Sequence, residues 1–154
     1  MKLRYNDSTH IMTTTQSMVD LLKAKGFKQK IIAWTRGVDR EYFKPDQQRI
    51  NNDKTVLVCV SRVSHEKGLD DFCSLNMPNT EKIMVGDGPY LKTLKKKYPD
   101  VHFVGKKKGR QLAKYYQSAD VFVFPSVVDT FGVVQIEAMA CGTPVAAYPV
   151  VGPK

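Results

Sequence analysis

No apolar run in these 154 residues approaches the roughly 20 that a membrane-spanning helix needs. The start, Met1 to Asp7, lacks the apolar centre of a signal peptide. There are only three cysteines: Cys59, Cys73 and Cys141. They are odd in number, far apart and set among apolar residues. That pattern reads as buried reduced thiols of a cytoplasmic protein, rather than as a disulfide framework or a metal cage. The three histidines, His10, His65 and His102, have no metal-ligand spacing. No Asp-x-Asp stands at a strand end, so a dedicated divalent-metal site is not expected. A Gly-x-Ser-x-Gly elbow is missing, which argues against a serine hydrolase. Neither an internal repeat nor a low-complexity tract is visible.

The composition is that of a soluble globular domain, 42% hydrophobic and 25% charged. A chain of this size buries about two-thirds of its unfolded surface, enough for a real core. The formal charge of +9 comes from 24 Lys and Arg against 15 Asp and Glu. The basic residues cluster at Lys95-Lys96-Lys97 and at Lys106-Lys107-Lys108 with Arg110. Such a surface attracts anions: nucleotides, nucleic acid or acidic lipid headgroups. Lysine runs are more often solvated faces, however. No aromatic residues interleave with these clusters as a single-strand groove requires, so nucleic-acid binding is not expected.

Short apolar segments alternate with helical ones. Strands are expected at 31–34, 55–60, 82–85, 101–104, 121–124 and 145–148, each read as apolar on both faces as in a parallel sheet covered on two sides. Helices are expected at 16–25, with Met18, Leu21 and Leu22 on one face, and at 90–98, 111–118 and 133–141. Strand-helix alternation implies an α/β fold: an open parallel sheet with right-handed crossovers and ligands at the strands' carboxyl ends. Residues 11–15 are strand-like but have no obvious sheet of their own, and the polar stretch 45–53 reads as a loop.

Chemistry is expected at three places. Arg62 follows the strand 55–60 and Lys67 comes five residues later, ahead of Gly68. Two cations at one strand end suit a diphosphate, the alternative being a solvated pair on a surface loop. Next, Asp129-Thr130-Phe131-Gly132 opens the helix 133–141. Thr130 is placed to cap it, and the free first-turn amides from Phe131 through Val133 to Val134 favour an anion. An ordinary capped helix is the alternative. Finally, Glu137 sits in a row with Val133, Val134, Ala140 and Cys141 that is expected to face inward. A carboxylate there needs donors. A ribose diol supplies two; a nearby Lys or a helix N-terminus is an equal alternative. Gly86-Asp87-Gly88-Pro89 begins like a dinucleotide fingerprint, but Leu91 stands where a third glycine belongs. It reads as a tight turn that brings backbone near a ligand.

Taken in order, these pieces resemble the C-terminal, donor-binding half of glycosyltransferase family 4, retaining enzymes of the GT-B fold. The resemblance is carried by Arg36-Gly37-Val38-Asp39 with Phe43, and by Ser61-Arg62 through Glu66-Lys67-Gly68. Gly86-Asp87-Gly88-Pro89 and Ala119-Asp120 through Phe124-Pro125-Ser126 continue it. The last piece is the pair Asp129 and Glu137, separated by seven residues and followed by Ala138-Met139-Ala140-Cys141-Gly142-Thr143-Pro144-Val145.

The resemblance implies a Rossmann-like sheet with helices on both faces. Arg62 and Lys67 are then diphosphate ligands that stabilise the leaving group, and Asp129 stands near the donor sugar. Glu137 holds the ribose. Phe131, Gly132 and Val133 offer backbone amides, Gly86 and Gly88 form the turn beside the donor, and Val104 with Gly105 flank the base. The reaction implied is transfer of a hexose, of mannose or glucose type, from a UDP- or GDP-linked sugar to a glycan or lipid, without cofactor or metal. Asp129 departs from the glutamate many members carry. Residues 1–30 are expected to be a remnant of the N-terminal acceptor domain and 31–154 a donor domain cut short at its C-terminal end, inactive alone. The basic surface fits a cytoplasmic protein with peripheral contact at the inner face of a membrane. Competing readings are a non-catalytic nucleotide-binding module and another GT-B enzyme, such as a nucleotide-sugar epimerase or a glycan phosphorylase. Nothing marks the lysine-bound pyridoxal site that a phosphorylase needs.

Overall fold

Thr55–Val60 is apolar after its first residue, and five of its six side chains are buried. Val56, Val58 and Val60 enter one hydrophobic cluster; Leu57 and Cys59 enter another. Strand side chains alternate faces, so this strand is the central plank between two cores. The structure is a computed structural model that describes residues 8–46 and 53–150. Most of the expected 45–53 loop, and the ends of the chain, lie outside the described residues.

In chain order the elements are β1 His10–Thr13, α1 Gln16–Ala24, β2 Lys30–Ala33, β3 Thr55–Val60, α2 Leu69–Cys73, β4 Thr80–Val85, α3 Leu91–Lys97, β5 His102–Gly105, α4 Gly109–Ser118, β6 Val121–Phe124, α5 Val133–Ala140 and β7 Val145–Ala147. Five strands form a parallel sheet in the order β5-β4-β3-β6-β7. Leu69, Phe72, Cys73 and Leu94 of α2 and α3 pack with Leu57, Cys59 and Met84. Leu112, Ala113, Tyr116 and Ala138 of α4 and α5 pack with Val56, Val58, Phe122 and Phe124. Helices therefore cover both faces, as the sequence implies. Strand order reverses between β3 and β6, and the loops leaving these two strands turn to opposite faces. At such a reversal doubly wound sheets bind their ligands.

The chain divides into two compact units. The larger, 38–128 with 133–148, holds the five-stranded sheet. The smaller comprises 1–37, 129–132 and 149–154. Within it β1 and β2 pair in parallel, Met12 opposite Ile32. This corrects two expectations. Residues 10–13 do have a sheet of their own, and the 30–33 strand belongs to it rather than to the large sheet. Three-residue apolar runs carry no information about their partners, so the sequence could not make that assignment. Thr15 caps α1 by accepting from the Met18 amide at 3.2 Å. Val19 is the buried residue of that helix, while Met18, Leu21 and Leu22 are half-buried.

Local chemistry explains the remaining shifts. β4 begins two residues early because Thr80 and Glu81 pair with Thr55 and Val56 although neither is apolar. Lys82 is buried in the same strand: its ammonium donates to the carbonyls of Cys73 and Leu75 at 2.6 and 2.8 Å and pairs with Asp100 at 2.7 Å. It thereby closes the C-terminal end of α2. All three cysteines are buried and free, as expected. Burial pushes the Cys73 thiol up to about 12 and the Cys141 thiol up to about 11.

Candidate functional site

Three loops meet at the carboxyl ends of β3, β4 and β5. The first is Ser61–Gly68. Arg62 is exposed there, and its guanidinium donates to Glu66 Oε1 at 2.6 Å and to Ser64 Oγ at 3.3 Å. Ser64 is itself buried and donates to the same Glu66 oxygen at 2.8 Å. Hydrogen bonds from its own backbone amide, then from Ser64, and then the contact with Arg62 hold the Glu66 carboxyl below the usual carboxylate range. An exposed i,i+4 ion pair adds little stability. Here it serves to fix the direction of a long cationic side chain. Lys67 ends the 3-10 turn His65–Lys67, five residues beyond Arg62 on the same loop. Sequence reading had given Ser64 and Glu66 no role; only their spacing from Arg62 could have shown it.

The second loop is Gly86–Tyr90. The Val63 amide donates to the Asp87 carbonyl at 2.9 Å, and the Tyr90 amide donates to the Val63 carbonyl at 3.1 Å. A Cβ on Gly86 would lie 1.9 Å from the Ser61 carbonyl oxygen, and one on Gly88 2.3 Å from that of Val63. The expected tight turn is present. The backbone these glycines admit is that of the Arg62 loop, so their first effect is to set where Arg62 stands. The third piece is Val104–Gly105. The Gly86 amide donates to the Gly105 carbonyl at 3.0 Å, and the side on which a Gly105 Cβ would project is open. Gly68 completes the closure: a Cβ there would meet the Pro125 carbonyl oxygen at 2.8 Å, so the loop after β3 touches the loop after β6 at the reversal of strand order.

Glu137 is half-buried on α5. Its partner is neither a lysine nor a helix N-terminus but the phenol of Tyr116 on α4, which donates to Oε2 at 2.9 Å. Desolvation raises the Glu137 carboxyl above its ordinary range, and the Tyr116 bond opposes this. Tyr116 went unremarked in the sequence, where it is one apolar position of an amphipathic helix.

The segment before α5 differs from expectation. The helix starts at Val133, directly after Gly132 with its φ of 75°, so Thr130 lies too far upstream to cap it. The backbone carbonyl of Thr130 instead accepts from Thr14 Oγ1 at 2.8 Å within the smaller unit. The glycine at 132 allows a turn that a continuous helical pattern concealed. Asp129, Phe131 and Gly132 belong to that smaller unit, whereas Arg62, Lys67, Gly86, Gly88, Val104, Gly105, Val133 and Glu137 belong to the larger one.

Among the described residues, no helix is long and apolar enough to cross a membrane. Residues 41–154 match the profile of the family described as glycosyl transferases group 1. The sulfoquinovosyl transferase SQD2 of Arabidopsis thaliana is 37% identical over 127 residues, covering 74% of this chain and 25% of its own length. A GDP-mannose-dependent alpha-mannosyltransferase of Corynebacterium glutamicum is 31% identical over 153 residues, covering 94% of this chain and 37% of its own. Among solved structures, sucrose-phosphate synthase from Thermosynechococcus elongatus superposes with a TM-score of 0.83 at 28% identity, over 97% of this chain and 43% of that one. The chain thus spans between 25% and 37% of the length of these two curated relatives. With the sheet order, the loops at its carboxyl edge and a family profile matched over most of its length, the chain belongs to the glycosyl transferases group 1 family.

Proposed function

We propose that this chain is the donor-binding part of a retaining hexosyltransferase that uses a UDP- or GDP-linked sugar. The observation that carries the reading is Glu137: a half-buried carboxylate with a single neutral donor among the described residues, on the helix that follows the reversal of strand order. A carboxylate so placed has lone pairs to spare for a vicinal diol, and a ribose provides one. Arg62 supports the same reading. It emerges at the end of the central strand and is aimed by Glu66 and Ser64, a geometry suited to a diphosphate. Lys67 supplies the second cation. The open face of Gly105 beside Val104 offers a flat surface for a base. Asp129, Phe131 and Gly132 are assigned to the donor sugar by the family motif, and the Val133 amide to the sugar or the phosphate.

Together the two cations stabilise a departing nucleoside diphosphate electrostatically, which is how transfer proceeds without a metal. Mannose- or glucose-type sugars are favoured because matched relatives at 31% and 34% identity are named GDP-mannose-dependent and one at 32% is named an alpha-monoglucosyldiacylglycerol synthase. The acceptor is a glycan or a lipid, and residues 1–30 are read as part of the acceptor domain. The setting proposed is cytoplasmic, with the basic surface available for peripheral membrane contact.

Calorimetric titration of the 154-residue chain with UDP, GDP and ADP, and then with their sugars, tests this. The expected result is binding of UDP or GDP in preference to ADP. Absence of binding by all of them at millimolar concentration overturns the donor site.

A further inference from the structure

The geometry points to Tyr116 as a positioning residue that aims the Glu137 carboxylate at a ribose diol, a role that rests on the donor-site reading above. Tyr116 is fully buried in the last turn of α4. Its ring is fixed from two sides, edge-on to Phe43 with centroids 6.0 Å apart and to Phe122 at 5.5 Å. Its backbone carbonyl accepts from the buried Thr143 hydroxyl at 2.6 Å, which ties the end of α4 to the turn before β7. The phenol therefore has one place to go, and in that place it donates to Glu137 Oε2 at 2.9 Å.

A glutamate on a helix surface has three side-chain torsions and no intrinsic direction. A donor held rigidly on the neighbouring helix removes that freedom before any ligand arrives. Among the described residues, Oε2 keeps a second lone pair and Oε1 keeps both, so each hydroxyl of a vicinal diol finds an acceptor. Prepaid ordering of this kind raises affinity without adding a contact to the ligand. A neutral donor is the fitting choice: a lysine in the same place would neutralise the carboxylate and compete with the diol for it. Burial and the neighbouring carboxylate push the Tyr116 phenol far upward, so it stays a donor at every working pH. Among the described residues, the other ionisable groups around the pair are the thiols of Cys141 and Cys59, both raised by burial and neutral.

The test measures the affinities of GDP and of its 2′,3′-dideoxy analogue, and of the corresponding UDP pair, for the parent chain, Tyr116→Phe, Glu137→Gln and the double variant. The ratio of ribo to dideoxy affinity is the readout, because general damage to the fold cancels in it. The parent is expected to prefer the ribonucleotide, and Glu137→Gln to abolish the preference. Tyr116→Phe should reduce it about tenfold, the usual consequence of losing a bond to a charged group. The double variant should match Glu137→Gln alone, since Tyr116 acts through Glu137.

A ratio untouched by Tyr116→Phe, with Glu137→Gln still abolishing it, overturns the positioning role and leaves the ribose assignment standing. A parent that does not distinguish the two nucleotides overturns both. If the Phe variant does not fold, NMR of the parent decides. The Tyr116 hydroxyl proton should exchange slowly, show a through-space contact to the Glu137 methylenes, and shift on saturation with the ribonucleotide but not with the dideoxy analogue. Equal shifts with both overturn the proposal.

Discussion

Tyr116 donates its buried phenol to Glu137 Oε2 at 2.9 Å, and that bond is what keeps a half-buried carboxylate tolerable between α4 and α5. It does not fully compensate, because desolvation still holds the Glu137 carboxyl above its ordinary range. Folded Glu137 binds its proton more tightly than unfolded Glu137. Its contribution to stability is therefore complete below the unfolded carboxylate range and is lost as pH rises through the raised folded value. Glu137→Gln keeps an oxygen for Tyr116 and carries no charge. Ligand-free thermal unfolding should place the variant's midpoint above the parent's at about pH 8, with the difference gone at about pH 4. A variant less stable than its parent at the higher pH contradicts this. In the expected outcome the parent retains Glu137 at a cost in stability, as functional sites often do.

Arg62 and Lys67 should separate the diphosphate from the rest of the nucleotide. Arg62→Ala removes a guanidinium already aimed by Glu66 and Ser64. Each alanine variant should weaken UDP or GDP binding at least tenfold, the scale of one charge-assisted bond. Binding of the matching nucleoside should be nearly unchanged. Titration calorimetry with both ligands measures this, and equal losses for nucleoside and diphosphate mean that the diphosphate lies elsewhere.

Which parts of this were legible in the sequence follows from what each signal encodes. β3 and β6 are apolar on both faces because both faces are covered, so they could be read directly. The positions of Arg62, after an apolar strand, and of Glu137, among apolar helix positions, were legible because a charged residue there stands out from its neighbours. Partners were not. β2 pairs with β1 rather than with the large sheet, and no four-residue run records such a choice. Tyr116 carries no mark of a role in the sequence; it is core, and its functional interest lies in one oxygen atom reaching a second helix. Thr130 looked like a cap because composition does not reveal that Gly132 turns the chain before the helix begins. Gly86 and Gly88 were read correctly as a turn, but the backbone they admit belongs to the protein itself.

Asp70 should govern the acid limb of stability. On α2 it accepts from Tyr90 at 2.9 Å, Tyr98 at 2.9 Å and Lys97 at 2.6 Å, joining α2 to α3. Burial pushes its carboxyl up, but those three donors outweigh burial, and the net effect lies below the ordinary value. With the folded value depressed, the contribution is present above the unfolded carboxylate range and is lost as pH falls through the folded value. Asp70→Asn should cost about 1 kcal/mol at neutral pH, the low end for bonds to a charged group on a partly exposed side chain. The cost should shrink on acidification. Denaturant titrations across the acid range measure it, and a penalty independent of pH would show that packing rather than charge is at stake.

The glycines at the carboxyl edge should behave in opposite ways. Alanine at position 86 sets a Cβ 1.9 Å from the Ser61 carbonyl oxygen, and alanine at position 88 sets one 2.3 Å from that of Val63. Neither oxygen is the tip of a flexible side chain, so the Arg62 loop itself must move. Each substitution should cost about 3 kcal/mol or more, among the larger single-site effects. Nucleotide affinity should fall with it even where the chain still folds, because Arg62 is displaced. Gly105 is the counterpart: its φ is 73°, but nothing lies within 4 Å of a Cβ there. Gly105→Ala should cost only about 1–2 kcal/mol of left-handed backbone strain. Its effect on binding should be confined to the base, appearing equally with nucleoside and diphosphate. Unfolding midpoints and the two affinities, measured on all three variants, decide the matter. A Gly105→Ala chain that unfolds as readily as Gly86→Ala, or that loses only diphosphate affinity, contradicts the assignment of that surface to the base.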